Sequence, residues 1–423
     1  MRRVLELPAF RRLLGVSMID QLAASSGAVA LALLVYRRTG SALGATAFFL
    51  CAEFGPGLVS PALVARVDQM PVRRVIPALY LTEVLVFVAL ALFVHRFALA
   101  PVLVLVLIGW TVAVAAAVLV RATWTSITSA SHLMRDANAL VNTGFSVCLM
   151  LGPALGGGLV ALGGTVTPLL VDAAGYAVCA AVIATASGLP PPSAREPAAG
   201  RLRAAIRYVR GEVMIRRLLG LQAAGLVFFA ISIPVEVVLA EHTLHTGAGG
   251  YGTLLAAWGA GAIVGSVGYL RWRRRSPRVL ITLGACLLGV GFLVMATAPA
   301  LSVAVVGGAL GGIGNGLLVV SMRTALQEAV ADRWMALVLS LNQAIFQTVP
   351  GLGIVIGGLL AASAGPRVAL GVGGAGSLAM AVAMWAGLSI PVHVPRAEPA
   401  PTEEAPRERE ESGSRLTTAA GDS

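Results

Sequence analysis

The stretch LAPVLVLVLIGWTVAVAAAVLVR, residues 99–121, runs for twenty-two residues without a charge before Arg121 closes it. A helix rises about 1.5 Å per residue, so roughly 20 apolar residues cross a hydrocarbon core of roughly 30 Å. Working outward, eleven more stretches of similar length lie at 14–36, 42–65, 75–95, 139–162, 167–187, 219–240, 250–270, 279–298, 301–322, 338–362 and 367–390. Twelve such spans use roughly 240 residues. A hydrophobic fraction of 57%, a charged fraction of 12% and a mean hydropathy of +0.85 exclude an ordinary soluble domain. The reading is an all-α integral membrane protein.

The basic residues give the orientation. All 31 are arginine, and 27 fall in the N-terminal arm, the gaps after even-numbered spans and the C-terminal segment. Arg37, Arg38, Arg96 and Arg367 are the exceptions. Cytoplasmic loops retain basic residues, so both termini are expected in the cytoplasm and the chain in the cytoplasmic membrane. The net charge of +11 is accordingly read as topology beside anionic lipid, with no nucleic-acid partner. Lacking lysine, the chain cannot contain the phosphate-binding GxxxxGK[ST] loop, which disfavours ATP-driven pumping by this chain alone. Cys51, Cys148, Cys179 and Cys286 sit inside apolar runs without CxxC spacing and read as small packing residues. His242 and His245 lack HExxH order, so neither metal nor cofactor is expected. The apolar run after MRRVLELPAFRRLL is too long for a cleaved leader and reads as a first span.

Two halves echo one another about 200 residues apart. MPVRRV (70–75) corresponds to RRSPRV (274–279), Arg121 to Arg323, and GPALGGGL (152–159) to PGLGIVIGGLL (350–360). Six-plus-six repetition predicts two helix bundles that rock about a central cavity, as in many secondary transporters. The expected division is a first bundle over 1–187, a linker over 188–218, a second bundle over 219–390 and a disordered segment over 391–423. Within the linker, RLRAAIRYVRGEVMIRRLL (201–219) interleaves arginine with Leu, Ile and Val at helical spacing, which predicts an amphipathic helix on the membrane surface.

At these same residues the chain resembles the major facilitator superfamily, in particular its drug-exporter branch related to macrolide efflux and enterobactin-type siderophore exporters. The resemblance rests on FRRLL (10–14), LLVYRRTGSAL (33–43), PALVARVDQMPVRRV (61–75), ANALVNTGFSVCLMLGPALGGGLVAL (137–162), VDAAGYAV (171–178) and RTALQEAVAD (323–332). It covers about residues 10–390 and implies the major facilitator fold. It also implies a conformational latch of Asp68 with Arg73 and Arg74, and an exporter-type motif of Gly152, Pro153, Gly156 and Gly157. Departures fall at Val64, Gln69, Cys148 and Met335-Ala336-Leu337. The acidic residue common in the family's first span aligns with Ala24, whereas this chain carries Asp20 one turn earlier.

Charges inside a membrane cost roughly 2.5–3.5 kcal/mol even on insertion scales, so intramembrane acids are functional candidates. Asp20, Glu53, Glu83, Asp172 and Glu236 are the candidates here. Asp20 and Glu236 lie in the symmetry-related first and seventh spans and are expected at one proton or cation-substrate site, with Glu53 facing the same cavity. Glu83 reads as a pair partner and Asp172 as a structural hydrogen-bonding acid. Arg121 could couple proton movement to the carrier's state or anchor the interface. The expected function is proton-driven export of small organic molecules, drug-like or siderophore-like, by a monomer in the lipid bilayer. An importer or lipid carrier of the same fold is the alternative, and a transporter-like sensor without transport is the alternative of another class. No catalytic constellation for an enzyme recurs in the spans.

Overall fold

The computed structural model describes residues 2–67, 70–130, 133–186, 207–272 and 274–388. Twelve helices in it are long and apolar enough to cross a membrane. They are α1 (Pro8–Thr39), α2 (Ala42–Val67), α3 (Val72–Phe93), α4 (Leu99–Ser129), α5 (Asp136–Gly163), α6 (Val166–Ala184), α7 (Val213–Thr243), α8 (Gly247–Trp272), α9 (Pro277–Thr297), α10 (Leu301–Ala329), α11 (Leu337–Ala364) and α12 (Pro366–Gly387). Twelve crossings return both ends of the described chain to one side, the terminal face. The loops after odd-numbered helices form the opposite face.

The packing repeats with a period of six helices. α1 packs on α5 and α6, as α7 packs on α11 and α12. α4 packs on α2 and α3, as α10 packs on α8 and α9, and α3 meets α6 as α9 meets α12. The halves join along α5–α8 and α2–α11, two seams that the same repeat exchanges. This is the expected two-bundle architecture.

Lipid tails are as apolar as leucine, so the hydrophobic effect does not hold these helices together; close packing at small residues does. Gly157 shows the consequence at the α5–α8 seam. A Cβ built there would stand 2.7 Å from the Ala248 carbonyl oxygen and 2.9 Å from the Gly252 Cα. Its neighbour Gly156 is pressed onto the other bundle partner, 2.6 Å from the Ser26 carbonyl oxygen of α1 by the same construction. The side chains facing outward are apolar, as at Leu85, Leu92 and Val382, where a bilayer would cover them.

Several ends differ from the sequence reading. α4 continues to the 129–130 end, so Arg121 stands inside the helix rather than closing it, and α10 likewise runs past Arg323 to Ala329. The extra turns are polar but helix-compatible, which a hydropathy reading truncates. α7 starts at Val213, absorbing the end of the expected linker. Residues 207–211 are helical, with Tyr208 stacked on Trp334 at 5.0 Å. The remainder of the amphipathic stretch and the segment from 389 lie outside the described residues.

Overpacking a close seam typically costs about 1–3 kcal/mol. Gly157→Ala should therefore lower the thermal unfolding midpoint of the purified protein. Gly158→Ala, where a Cβ meets nothing within 4 Å, should leave it unchanged.

Candidate functional site

Three of the helices that meet between the bundles are irregular. In α2 the residues Leu50–Phe54 form one wide π-helical turn, sealed by the Gly55 N–H donating to the Leu50 carbonyl. Pro56 follows and has no N–H to continue an ordinary ladder. α7 ends in a second π turn, Leu239–Thr243. α11 carries Pro350 inside its span, where the ladder loses one N–H. Such turns re-aim side chains and cluster at functional sites.

Between them lies a cavity of about 550 Å³. α1, α2, α4 and α5 wall it from the first half, α7, α8 and α11 from the second. Glu53, carried on the α2 π turn, is exposed to it. Glu236 reaches it from α7 and is 7% exposed. Tyr251 of α8 stands within electrostatic range of both carboxyls. Gln21, Ser25, Ser232 and Gln347 supply further polar edges. Trp110, Phe229, Trp258 and Phe346 supply aromatic walls, with Trp258 held between Phe229 at 5.7 Å and Phe292 at 5.6 Å. Among the described residues no arginine or histidine lines this space. Two carboxyls and several π faces without a counter-cation attract organic cations and repel anions.

Asp20, grouped with Glu236 from the sequence, does not line the cavity. The wall of α1 is formed by Gln21, Ala24, Ser25, Ala28 and Val29. Asp20 lies towards α3 and α6, where its charge bears on Glu83, Tyr80, Tyr176 and Cys179. Asp172 is buried beside Gly27 and Ser26 of α1. Arg121 and Arg323 are exposed and outside the cavity lining. Pro153 lines the cavity, and Gly152, Gly156 and Gly157 pack against helix backbones or side chains around it.

Of the expected latch, Asp68 lies outside the described residues. Arg73 donates from Nε to the Ala184 carbonyl at 3.1 Å, and Arg12 from Nη1 to the Thr185 carbonyl at 3.3 Å. Both guanidiniums thus sit at the C-terminus of α6, where the helix dipole favours a cation. Arg74 is exposed.

An ion pair that the sequence reading missed closes the opposite face. Arg37, at the end of α1, grips Glu241, in the last turn of α7, with Nε to Oε2 at 2.9 Å and Nη2 to Oε1 at 2.7 Å. It is bidentate and joins the two halves. The signal was present, because Arg37 breaks the arginine alternation. Two other exceptions also have fixed partners: Arg38 donates to the Val94 carbonyl at 2.8 Å and Arg367 to the Ala298 carbonyl at 2.9 Å.

A repeated pair of six-helix bundles around a central cavity defines a membrane transporter of the major facilitator type. The chain belongs to the family of transmembrane secretion effectors within that group, whose sequence profile matches residues 58–409. None of the curated proteins compared matches the sequence. Among solved structures it is similar to the nucleoside transporter NupG, with 11% identity, a TM-score of 0.70 and coverage of 91% of this chain and 100% of that one. It is also similar to a bacterial homologue of the iron transporter ferroportin in an inward-facing state, with 13% identity, a TM-score of 0.71 and coverage of 91% and 99%. A bacterial homologue of the human lysosomal transporter Spinster, inward-facing and unoccupied, matches with 13% identity, a TM-score of 0.68 and coverage of 90% and 96%.

A part-exposed ion pair is worth little, and its removal should shift the balance of conformers only roughly two- to fivefold. Glu241→Gln should raise alkylation of a cysteine introduced at Ser25 from the opposite face by that factor. Reversing both charges, Arg37→Glu with Glu241→Arg, should restore protection.

Proposed function

We propose that this chain is a secondary active exporter of small amphipathic organic molecules, organic cations foremost, driven by inward proton flow. The observation that carries the reading is the pair Glu53 and Glu236, brought from opposite halves to one aromatic cavity with no basic residue in its lining among the described residues. Each carboxyl can hold either a proton or a cationic cargo, so the two ligands compete for one place. That competition is the simplest chemistry of antiport.

Alternating access follows from the seams. At the opposite face α1 and α7 are tied by Arg37 and Glu241, and the first turns of α2 pack against α7 and the second segment of α11. The conformer is closed there, which supports an inward-facing state if the terminal face is cytoplasmic, as the arginine distribution argues. Rocking of the bundles over 1–187 and 219–390 about the α5–α8 and α2–α11 seams would then expose the cavity to the other side. The Gly152-Pro153 motif favours export over import, by resemblance. We take the monomer as the working unit, in the cytoplasmic membrane.

Everted membrane vesicles carrying the full chain test the reading, with ethidium and tetraphenylphosphonium as probes. Energised vesicles should accumulate both, and dissipating the proton gradient should abolish it. Glu53→Gln and Glu236→Gln should each reduce gradient-driven accumulation by roughly tenfold, the equivalent of about 1.4 kcal/mol. Accumulation that ignores the gradient would refute antiport. Uptake into intact cells instead of everted vesicles would make the chain an importer.

A further inference from the structure

At Gly157 a Cβ has no room, but Gly225 of α7 is different. A Cβ built there meets only the Met384 methyl, at an ordinary 3.6 Å. Nearby, Gly353 of α11 is pressed directly onto the Val227 carbonyl of α7. Glycine inside a helix is less stable than alanine, and close packing gives no reason for it at 225. Gly225 instead lines a second, smaller cavity of about 40 Å³ inside the second bundle.

The walls of this slot come from α7, α9, α10, α11 and α12. Leu288, Met322 and Met384 are buried in them. Among the described residues no charged side chain lines it, and the polar lining residues are Gln222 and Asn315. Gln222 is already held, because its Nε2 donates to Asn342 Oδ1 at 2.8 Å. A cavity of this size has room for roughly three waters. Leucine and thioether walls offer waters few partners, whereas they fit the end of an alkyl chain by dispersion, and methionine adapts its shape to it.

The slot is continuous with the central cavity. Phe229 and Phe346 line both spaces. Along α7, Gln222, Gly225 and Leu226 line the slot, Ser232, Ile233 and Glu236 line the cavity, and Phe229 joins them. Steps of three and four residues keep all seven on one helix face. That face therefore runs unbroken from an acid, past an aromatic ring, to an apolar recess. Gly225 and Glu236 are eleven residues apart, about 16 Å along the helix axis.

We propose that the slot is a subsite for the apolar arm of the cargo. The cation stays at Glu53 and Glu236, while an uncharged chain passes Phe229 and Phe346 and seats its last carbons beside Gly225, Met322 and Met384. The inference rests on the cavity reading above and narrows it to cations that carry a long, slender apolar arm. The cation's own radius covers the first few ångströms. An extended chain advances roughly 1.2 Å per bond, so about ten bonds cover the rest.

Butyl- and decyltriphenylphosphonium, bound to the purified full chain in lipid nanodiscs without a gradient, test this. The readout is the ratio of their dissociation constants, in which partition into the same lipid cancels between wild type and variant. Gly225→Ala takes the room of one carbon and should lower the preference for decyl about fourfold, the worth of one buried methylene. Leu318→Ala widens the slot and should shift the preferred chain from decyl to dodecyl. An unchanged ratio in Gly225→Ala overturns the proposal; a raised unfolding midpoint beside it identifies a packing gap that no cargo enters. A decyl preference lowered by both variants, with no gain for dodecyl, also counts against it, since filling and widening must act in opposite directions. Should Leu318→Ala fail to fold, the ratio in Gly225→Ala decides alone. Glu236→Gln should weaken butyl and decyl alike. Equal binding of both probes by that variant and the wild type would defeat the cavity reading. Acid-dependent binding with a ratio blind to Gly225→Ala would defeat this inference alone.

Discussion

Helix backbones in this protein touch where the two halves meet, and the rest of the arrangement depends on that contact. In lipid no solvent force pushes helices together, so dispersion between closely fitted surfaces must supply the adhesion. Gly157 of α5 and Gly252 of α8 remove the side chains that would hold the helices apart. The related seam, α2 with α11, instead seats the Thr46 side chain against Gly358. In both, glycine sets how closely the bundles approach. The cavity is the space left between two such joints.

Around that space the charges divide by task. Arg37 and Glu241 tie the halves at the opposite face, Glu53 and Glu236 line the cavity, and Glu83 is buried in the first bundle. In the second half Gln222 and Asn342 satisfy each other. Both the cavity and the ion pair therefore draw one charged group from each half, α1 and α2 facing α7.

How much of this was legible varies residue by residue. The twelve spans and the repeat could be read from hydropathy and spacing, Glu53 and Glu236 as candidates from the cost of buried charge, and their place at a cavity from the family resemblance. Asp20 was found as a candidate, but its direction was not. Polar residues flank it over a wide arc of α1, at Ser17, Gln21 and Ser25, so the pattern does not mark which of them meets the cavity and which a neighbouring helix. Successive residues on a helix differ by about 100° in direction, and Gln21 rather than Asp20 came to face the opening. The Arg37–Glu241 pair was missed for another reason: Arg37 stands out from the arginine alternation, but its partner is 204 positions away, at the end of another helix.

Taken by itself, the sequence determined the number of crossings, the two-fold repetition and the side expected to hold the arginines. Each of these follows from a local rule, since the bilayer imposes the same length and charge penalties on every segment. Only the tertiary structure decided which acids share a cavity, which are buried away from it, and which arginine joins the halves. Those relations depend on how each helix is rotated about its axis, and the rotation is set by the glycine contacts of its neighbours rather than by anything in the helix alone.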